Sequence, residues 1–386
     1  MGGIADYTAA LARHLQALGV KVTVVTGPGK DGSTESPVPV AGVSGWGLSS
    51  VRELARVAAE ARADIVHIQY QAAAYGLSGV VNLLPLLLRA THNRARIVTT
   101  FHDLRPPYAF PGAGPLRSAL VHGMVGASES AIFVDPGDLY RVAPNGRRVW
   151  IPIGPNIVPA VHTKAAAGRS RRSASKKLVL GFFGFTNRSK GITVLLRAVE
   201  RLARSDTDVR LIMIGERLGG SDPSNRGEQE HFEALVNELG LGDRVSSTGP
   251  LAPSGVSESL GKVDIAVLPY ADGASLSRGS LLTCLAHGVP VVTTRPGFSG
   301  AVPAAACVPP FDRPEGLRIS DKVVALVPAD DDAALAREIY RLANDPARRK
   351  RLAAAGAELA GRLTWPAIAS ATLEVYRRVM ARAAQS

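Results

Sequence analysis

The chain has 386 residues, of which 46% are hydrophobic and 5% aromatic, and it carries a formal net charge of +12. This length predicts two domains of about 150–200 residues each, and the hydrophobic content excludes a wholly disordered chain. The two cysteines, Cys284 and Cys307, exclude a disulfide framework and a thiolate metal cluster. No apolar run reaches the roughly 18 residues of a membrane-spanning helix, and the first residues lack a signal-peptide pattern, so we expect a soluble, reduced, cytoplasmic protein.

Strand-like and helix-like segments alternate through the first half of the chain. Ile4–Leu18 has apolar residues at helical spacing and ends at Gly19, a natural helix C-cap. Short apolar runs then predict strands at Lys21–Val25, Asp64–Ile68, Arg96–Phe101, Ala131–Val134 and Val149–Ile153. Short buried strands that alternate with helices predict a parallel sheet with helices on both faces.

The same alternation starts again after residue 177. Predicted strands are Leu178–Phe183, Val209–Ile214, Arg244–Ser247, Asp264–Leu268 and Val289–Thr293. Predicted helices are Ile192–Ala203, Glu228–Leu239, Ser280–Ala286 and Asp332–Leu342. Between the halves, residues 164–177 have the composition of an exposed linker. We therefore expect an α/β protein with two doubly wound, Rossmann-like domains.

The first domain is expected to open in an unusual way. A doubly wound domain normally begins with a strand that leads into a glycine-rich turn, whereas this chain begins with the turn itself, at Gly2 and Gly3. One interpretation is a fold that begins with a helix. We favour the other, in which the first and usually central strand is missing because the assigned start lies too far downstream.

The positive charge is concentrated in two places. Residues 164–177 carry six basic residues and no acidic one, and residues 337–386 carry ten basic and four acidic residues. A solvated linker and a basic terminal helix explain this pattern, and attraction to an anionic membrane surface is the alternative. Few aromatic residues are available for base stacking, so we expect no nucleic-acid partner.

Polar residues follow the predicted strand RIVTTF at its carboxyl end, where parallel sheets bind ligands. His102 and Asp103 are therefore candidate functional residues, although a loop histidine bonded to a carbonyl has the same pattern. His67 lies within a strand and is expected in the core. Gly2 and Gly3 precede the first helix, where backbone amides approach a ligand or form an ordinary tight turn.

Two cations, Arg188 and Lys190, lie in the segment Gly184–Gly191, which joins a predicted strand to a helix. A positive charge at a helix N-terminus opposes the helix dipole, which favours acidic side chains there. An anionic ligand removes this conflict, so the segment predicts a diphosphate site.

A second loop, Asp272–Ser280, consists mostly of small and hydroxyl residues and precedes another helix. Its backbone amides suit a phosphate group, while Ser280 also has the position of a plain N-cap. The acidic run Asp330–Asp332 opens a helix, and N-terminal capping explains it better than metal binding does.

A set of segments occurs in the order and spacing of a known family: GGIADYTAALARHLQALGVKVTVVT, DIVHIQ, TTFHDL, IPIGPNI, FGFTNRSKGITVLLRAV, VRLIMIGE, DRVSSTGPL, LLTCLAHGVPVVTT and LTWPAIASATLEVYRRV. In these segments the chain resembles glycosyltransferases of the GT-B fold and is most similar to the retaining glycosyltransferase family 4. The resemblance implies two Rossmann-like domains that face a cleft. The expected parts are an acceptor-side domain at 1–163, the linker at 164–177, a nucleotide-sugar-binding domain at 178–362, and a helix at 363–386 that crosses back to the first domain.

The resemblance also assigns site residues. It implies that Lys190 grips the donor diphosphate, that His102 lines the sugar pocket, and that Arg188 substitutes for an arginine that the family has at the position of Phe185. The expected donor-binding residues are Gly3, Glu216, Leu251, Ser275, Arg278, Gly279, Ser280 and Thr283.

One departure from the family pattern affects this assignment. The family has a pair of glutamates where this chain has Ser275 and Thr283. A subset of similar sequences carries the same Asp-Gly-x-Ser and Arg-Gly-Ser pattern. The contacts to the ribose and the sugar of the donor are therefore expected to differ from those of the family.

The implied reaction moves a sugar from a nucleotide-diphosphate sugar to a hydroxyl group of a glycan or lipid-linked acceptor, with retention and with no metal or cofactor. Lys190, Arg188 and two helix N-termini would stabilise the charge that grows on the leaving diphosphate. The expected setting is bacterial surface polysaccharide or glycolipid synthesis, in the cytoplasm or at the inner face of the membrane. The alternatives are a nucleotide-sugar epimerase of the same fold and a non-catalytic subunit that binds nucleotide or glycan.

Overall fold

The computed structural model describes residues 3–28, 38–91, 94–104, 114–159, 177–185, 188–215 and 224–385. The chain divides into two compact units. Unit 1 contains Met1–Ile153, Gly300–Pro314 and Trp365–Ser386, and unit 2 contains Gly154–Ser299 and Glu315–Thr364. All of the predicted linker 164–177 except Lys177 lies outside the described residues, so the linker stays a prediction.

Unit 1 alternates helices and parallel strands. Its first helices are α1 (Gly3–Ala17), α2 (Leu48–Glu60), α3 (Val80–Ala90), α4 (Gly114–Ala127) and α5 (Pro136–Arg141). Its strands are β1 (Val24–Thr26), β2 (Val40–Gly42), β3 (Ile65–Tyr70), β4 (Arg96–Phe101), β5 (Ser130–Phe133) and β6 (Arg148–Trp150). β1 and β2 form one small sheet, and a second sheet has the order β3-β4-β5-β6. The predicted absence of a first strand stays a prediction.

The core of unit 1 is centred on β4, which pairs with β3 on one side and with β5 on the other. Every residue of β4 after Arg96 is buried. Since successive side chains of a strand point to opposite faces, both faces of the sheet are covered here. Phe101 stacks on Phe133 of β5 with ring centroids 5.2 Å apart.

Unit 2 contains six helices and six strands among the described residues. The helices are α6 (Ile192–Arg204), α7 (Ser224–Glu238), α8 (Pro253–Gly261), α9 (Gly279–Ala286), α10 (Asp332–Ala343) and α11 (Pro346–Arg362). The strands are β7 (Leu178–Phe183), β8 (Val209–Ile214), β9 (Val245–Ser247), β10 (Ile265–Leu268), β11 (Val291–Thr294) and β12 (Ala325–Val327). α6 buries a stripe at helical spacing, which includes Ile192, Leu195, Val199 and Leu202.

The sheet of unit 2 has the order β12-β11-β10-β7-β8-β9, and all its pairs are parallel. The chain moves outward from β7 in one direction and from β10 in the other. The switch point therefore lies between β7 and β10, and a sheet of this kind binds its ligand beyond the carboxyl ends of those strands. This topology is doubly wound and confirms the predicted α/β fold class.

The last helix, α12 (Trp365–Ala383), belongs to unit 1, where it packs against α1 and β4. The ring of Trp365 lies edge-on to that of Tyr7, with centroids 5.2 Å apart. Residues 300–314 also belong to unit 1, where Phe311 lies against Trp150. The division of the chain thus differs from the predicted range 178–362, because this segment packs with the first unit.

The acidic run at 330–332 forms the N-terminus of α10. The side chain of Asp331 accepts a hydrogen bond of 2.7 Å from the backbone N–H of Ala334, and Asp332 forms an ion pair with Arg201. These contacts are those of a capped helix. Across the part of the chain that the structure describes, no group of three or more His, Cys, Asp or Glu side chains is arranged to hold a metal ion. None of the described helices has the length and apolarity needed to cross a bilayer.

Candidate functional site

The loops beyond the carboxyl ends of β7 and β8 are joined to their neighbours by hydrogen bonds. The N–H of Gly184, after β7, donates to the carbonyl oxygen of Ile214 at 3.4 Å, and the N–H of Gly215 donates to the hydroxyl of Thr248 at 3.0 Å. A Cβ atom on Gly184 would lie 3.5 Å from Cβ of Ser280, in the first turn of α9. The edge of the sheet at the switch point is therefore a set of closely packed loops.

The turn that carries Lys190 is anchored to the loop after β10. The N–H of Ala271 donates to the carbonyl oxygen of Ser189 at 3.0 Å. Gly191 has φ +63°, and a Cβ atom at this position would lie 1.9 Å from the carbonyl oxygen of Pro269. Only glycine allows both this backbone conformation and this approach. Lys190 is thus held against the segment after β10, although it lies far from that segment in sequence.

Tyr270 organises the charged side chains of this region. Its ring is fully buried, and its hydroxyl lies 2.7 Å from the hydroxyl of Ser280. Nζ of Lys190 and Cζ of Arg278 each lie 4.8 Å from the centroid of this ring. Two cations therefore share one aromatic ring, an arrangement that the ring quadrupole stabilises.

One carboxylate partly balances the two cations. Arg278, the N-cap residue of α9, forms an ion pair with Asp272. Burial is the largest influence on the pKa of Lys190, and with repulsion from Arg278 it lowers this pKa to about 7, against the opposing attraction of Asp272. The low pKa shows that the structure holds this ammonium group at a cost. An entering anion such as a diphosphate would relieve that cost.

Other predicted donor-binding residues lie on the same loop and helix. The hydroxyl of Ser275 accepts a hydrogen bond of 3.0 Å from the N–H of Ser277. A Cβ atom on Gly279 would lie 3.1 Å from the side chain of Asn156. Thr283, one turn further along α9, is fully buried, and its hydroxyl has no hydrogen-bond partner within the described ranges. Its side chain therefore exposes no surface to a ligand in this structure.

The remaining predicted residues lie elsewhere in the structure or outside its described part. Leu251 is 37% exposed and lies against Gly255 in α8, with no contact to Lys190 among those described. Glu216 and the side chain of Arg188 lie outside the described residues, so their roles stay predictions. Gly3, the first residue of α1, and His102 both belong to unit 1.

His102 directly follows β4 and is linked to β3. Its Nε2 lies 3.0 Å from Oε1 of Gln69, and its ring lies edge-on to that of Tyr7 with centroids 4.6 Å apart. Burial lowers the pKa of His102 to about 4, so the imidazole is neutral at neutral pH. The neighbouring Asp103 accepts a hydrogen bond of 3.1 Å from Nε2 of Gln71.

Sequence reasoning missed two residues that shape these sites. Tyr270 was visible only as the end of the run DIAVLPY, because an aromatic residue after a buried strand is usually part of the core. Gln69 carried no signal beyond its position two residues after His67. His67, which was expected in the core, is half-buried, and both its ring nitrogens have hydrogen-bond partners.

Comparisons of the sequence with known proteins agree with this architecture. Residues 1–134 match the family model for Glycosyltransferase Family 4, and residues 177–345 match the model for Glycosyl transferases group 1. The chain is 31% identical over 268 residues to a D-inositol 3-phosphate glycosyltransferase of Stackebrandtia nassauensis, over 67% of this chain and 54% of that one. It is 29% identical to a phosphatidyl-myo-inositol mannosyltransferase of Mycobacterium leprae, over 60% of this chain and 54% of that one. The matches thus span about half the length of these relatives.

Solved structures share the fold over nearly the whole chain. Sucrose-phosphate synthase of Thermosynechococcus elongatus has a TM-score of 0.72 at 22% identity, over 99% of this chain and 94% of that one. HepE of Anabaena, solved in complex with UDP-glucose, has a TM-score of 0.69 at 15% identity, over 100% of this chain and 97% of that one. The fold and the two family matches together show that the chain belongs to the glycosyltransferases of the GT-B fold and is most like glycosyltransferase family 4.

Proposed function

We propose that this chain transfers a sugar from a nucleotide-diphosphate sugar to a hydroxyl acceptor, with retention of configuration and without a metal ion. The observation that carries the proposal is the group formed by Lys190, Arg278, Asp272 and Tyr270 at the switch point of unit 2. The group contains two cations and one carboxylate. Lys190 lies just before the N-terminus of α6, and Arg278 is the N-cap residue of α9. Both features favour a diphosphate.

In the proposed reaction the bond between the anomeric carbon and a diphosphate oxygen breaks, and the bonding electrons stay on that oxygen. The acceptor oxygen forms a bond to the anomeric carbon on the same face, and the proton of the acceptor passes to the diphosphate. Lys190 and Arg278 stabilise the charge that grows on the leaving oxygen. The two negative charges of the bound diphosphate also raise the pKa of Lys190 from about 7, so the side chain is charged when the donor is bound.

The comparisons suggest which substrates to test first. HepE was solved with UDP-glucose, which makes uridine diphosphate sugars the first donors to try. The two relatives are named for an inositol phosphate and a phosphatidylinositol, so an inositol phosphate and its lipid are the first acceptors. Other glycan and lipid-linked hydroxyl acceptors belong to the same proposal.

Contact with an anionic membrane surface, at the cytoplasmic face, is also part of the proposal. Burial and the nearby positive charges of Arg147 and Arg378 lower the pKa of Arg382 on α12. Nε of Arg382 also donates to the carbonyl oxygen of Arg378, whose own guanidinium is paired with Glu374. The group keeps a net positive charge, and basic groups of this kind are attracted to anionic lipids.

The test is a thermal-shift screen of the wild-type chain against UDP-glucose, other nucleotide sugars and free UDP. A ligand at about a hundred times its Kd raises the unfolding free energy by roughly 2.7 kcal/mol. Donors that bind are then incubated with the acceptors, and release of the nucleoside diphosphate is measured. We expect Lys190→Ala to lose most turnover. Lys262→Ala, which removes an exposed lysine paired with Glu258 on α8, should keep wild-type activity.

Each outcome separates the candidates. Release of a nucleoside diphosphate only when an acceptor is present supports transfer. Conversion of the donor sugar without release supports the epimerase, which requires a placed acid and base. Binding of nucleotide with neither reaction supports the non-catalytic subunit. If Lys190→Ala binds and turns over the donor as wild type does, the proposed site is wrong.

A further inference from the structure

A chain of hydrogen bonds runs through unit 1 from α12 to the carboxyl end of β4. The hydroxyl oxygen of Tyr376 lies 2.6 Å from Nδ1 of His67. Nε2 of His67 lies 3.3 Å from the amide nitrogen of Gln69 and 2.8 Å from the hydroxyl of Thr100. The amide oxygen of Gln69 lies 3.0 Å from Nε2 of His102. Tyr376 and His67 are 309 residues apart in sequence, so only the fold creates this chain.

The chemistry of these groups gives the chain a direction. Burial lowers the pKa of His67 to about 3 and that of His102 to about 4, so each ring is neutral, with one nitrogen that donates and one that accepts. Nε2 of His102 faces an oxygen that only accepts, so it must carry the proton. Nε2 of His67 faces an amide nitrogen that only donates, so it must accept. Nδ1 of His67 therefore carries the proton and donates to the oxygen of Tyr376.

We infer that Tyr376 is a positioning residue whose oxygen maintains the observed tautomer of His102 through His67 and Gln69. The amide of Gln69 has one donating and one accepting end, so the two imidazoles must adopt opposite tautomers whichever way the amide points. The tyrosine hydroxyl can accept from Nδ1 of His67 or donate to it, whereas a phenylalanine can do neither. The arrangement in the structure places the proton on Nδ1 of His67 and therefore needs the tyrosine oxygen as its acceptor. This arrangement, called the selected one below, leaves the lone pair of His102 on Nδ1.

Removal of the tyrosine oxygen should reverse the chain. With phenylalanine at 376, the N–H at Nδ1 of His67 has lost its acceptor, and an unpaired buried N–H is less tolerated than an unpaired acceptor. The proton then moves to Nε2, which donates to Thr100. The amide of Gln69 rotates, its nitrogen donates to Nε2 of His102, and the proton of His102 moves to Nδ1.

The tautomer of His102 determines how this side chain can contact a bound sugar. This consequence rests on the proposed function, whereas the tautomer assignment does not. Nδ1 of His102 has no hydrogen-bond partner among the described residues, and in the selected tautomer it accepts a hydrogen bond. A hydroxyl group of the bound sugar is a suitable donor. The reversed tautomer presents an N–H at the same place and cannot accept that proton.

The test reads the tautomer directly and uses no substrate. The chain is labelled with ¹⁵N-histidine, and long-range ¹H–¹⁵N correlation spectra distinguish Nδ1–H from Nε2–H rings. The protein has eight histidines, and His67→Gln and His102→Gln identify the two of interest. We expect wild-type His102 to carry its proton on Nε2 and Tyr376→Phe to shift it to Nδ1. An unchanged His102 tautomer in folded Tyr376→Phe would overturn the inference.

Two further variants make the result specific. Thr372→Val removes a buried hydroxyl of the same helix, which bonds the carbonyl of Ile368, and should leave the His102 tautomer unchanged. An equal shift in this control would show general loosening of α12 and overturn the inference. Gln69→Leu should leave His102 with both tautomers, and Tyr376→Phe should then have no added effect.

Activity assays address a separate question. If the chain transfers no sugar, the proposed function fails while the tautomer result stands. If transfer is observed, Tyr376→Phe should lower kcat while the affinity for UDP, which unit 2 binds, stays at the wild-type value. A loss of UDP affinity in this variant would contradict a role confined to His102.

Discussion

Replacement of Lys190 by methionine should stabilise the protein and weaken donor binding at the same time. Methionine keeps an unbranched side chain but removes the charge. The pKa of Lys190 falls from 10.5 to about 7 in the folded chain, with burial as the largest cause. At about 1.4 kcal/mol per pKa unit, the folded state disfavours the charged form by roughly 5 kcal/mol. Partial exposure of the side chain makes this an upper value.

The sign of the pH dependence follows from proton binding. Between the folded pKa of about 7 and the ordinary value of 10.5, the unfolded chain binds more protons at Lys190 than the folded chain does. The unfolding free energy of the wild type therefore rises with pH across this range. The advantage of Lys190→Met should be largest at pH 6, at up to about 5 kcal/mol, and fall to about 2 kcal/mol at pH 9.

Donor binding should change in the opposite direction. A charge-assisted hydrogen bond contributes about 1.5–3 kcal/mol, so Lys190→Met should weaken UDP binding by about ten- to a hundredfold. A variant that is more stable but binds UDP more weakly would show that Lys190 serves ligand binding and not the stability of the fold.

The assay is urea denaturation of both proteins at pH 6 and pH 9, together with calorimetric titration of UDP. Lys262→Met is the matched control, because Lys262, which directly follows α8, is exposed and pairs with Glu258 of that helix. Its stability difference from wild type should stay within about 0.5 kcal/mol at both pH values. The reasoning is refuted if Lys190→Met is less stable than wild type at pH 6, or if its advantage does not shrink at pH 9.

Two further substitutions test the packing of the same region. Gly191→Ala should lower the unfolding free energy by at least about 2 kcal/mol, because the added Cβ would meet the carbonyl oxygen of Pro269. The control Gly240→Ala has the same φ of +63° and no atom within 4 Å of the added Cβ, so it should cost only about 1–2 kcal/mol. Equal losses of stability in urea denaturation would contradict the contact at Gly191. Thr283→Val should raise the unfolding free energy by about 1 kcal/mol, since it removes a buried hydroxyl that has no partner within the described ranges. The affinity for UDP should stay unchanged. Weaker UDP binding would instead support a contact between Thr283 and the nucleotide sugar.

Much of the fold was readable from local patterns. The predicted strands Arg96–Phe101, Leu178–Phe183 and Val209–Ile214 coincide with β4, β7 and β8. These are predominantly apolar runs, and strands buried on both faces need such runs whatever their neighbours are. Lys190 was also visible, because a cation before a helix N-terminus conflicts with the helix dipole, and that conflict is a property of the chain itself.

The convergence of distant segments was not readable in this way. Tyr270 matters because Lys190 and Arg278 approach its ring from separate loops, and Tyr376 matters because α12 returns to the sheet that holds His67. Periodicity and capping describe interactions within one turn or one strand. They carry no information on which side chains meet across elements, since those contacts depend on strand order and on how helices pack. Composition and spacing therefore determined the elements and the charged turn, while the grouping of side chains into sites was decided only when the sheets formed.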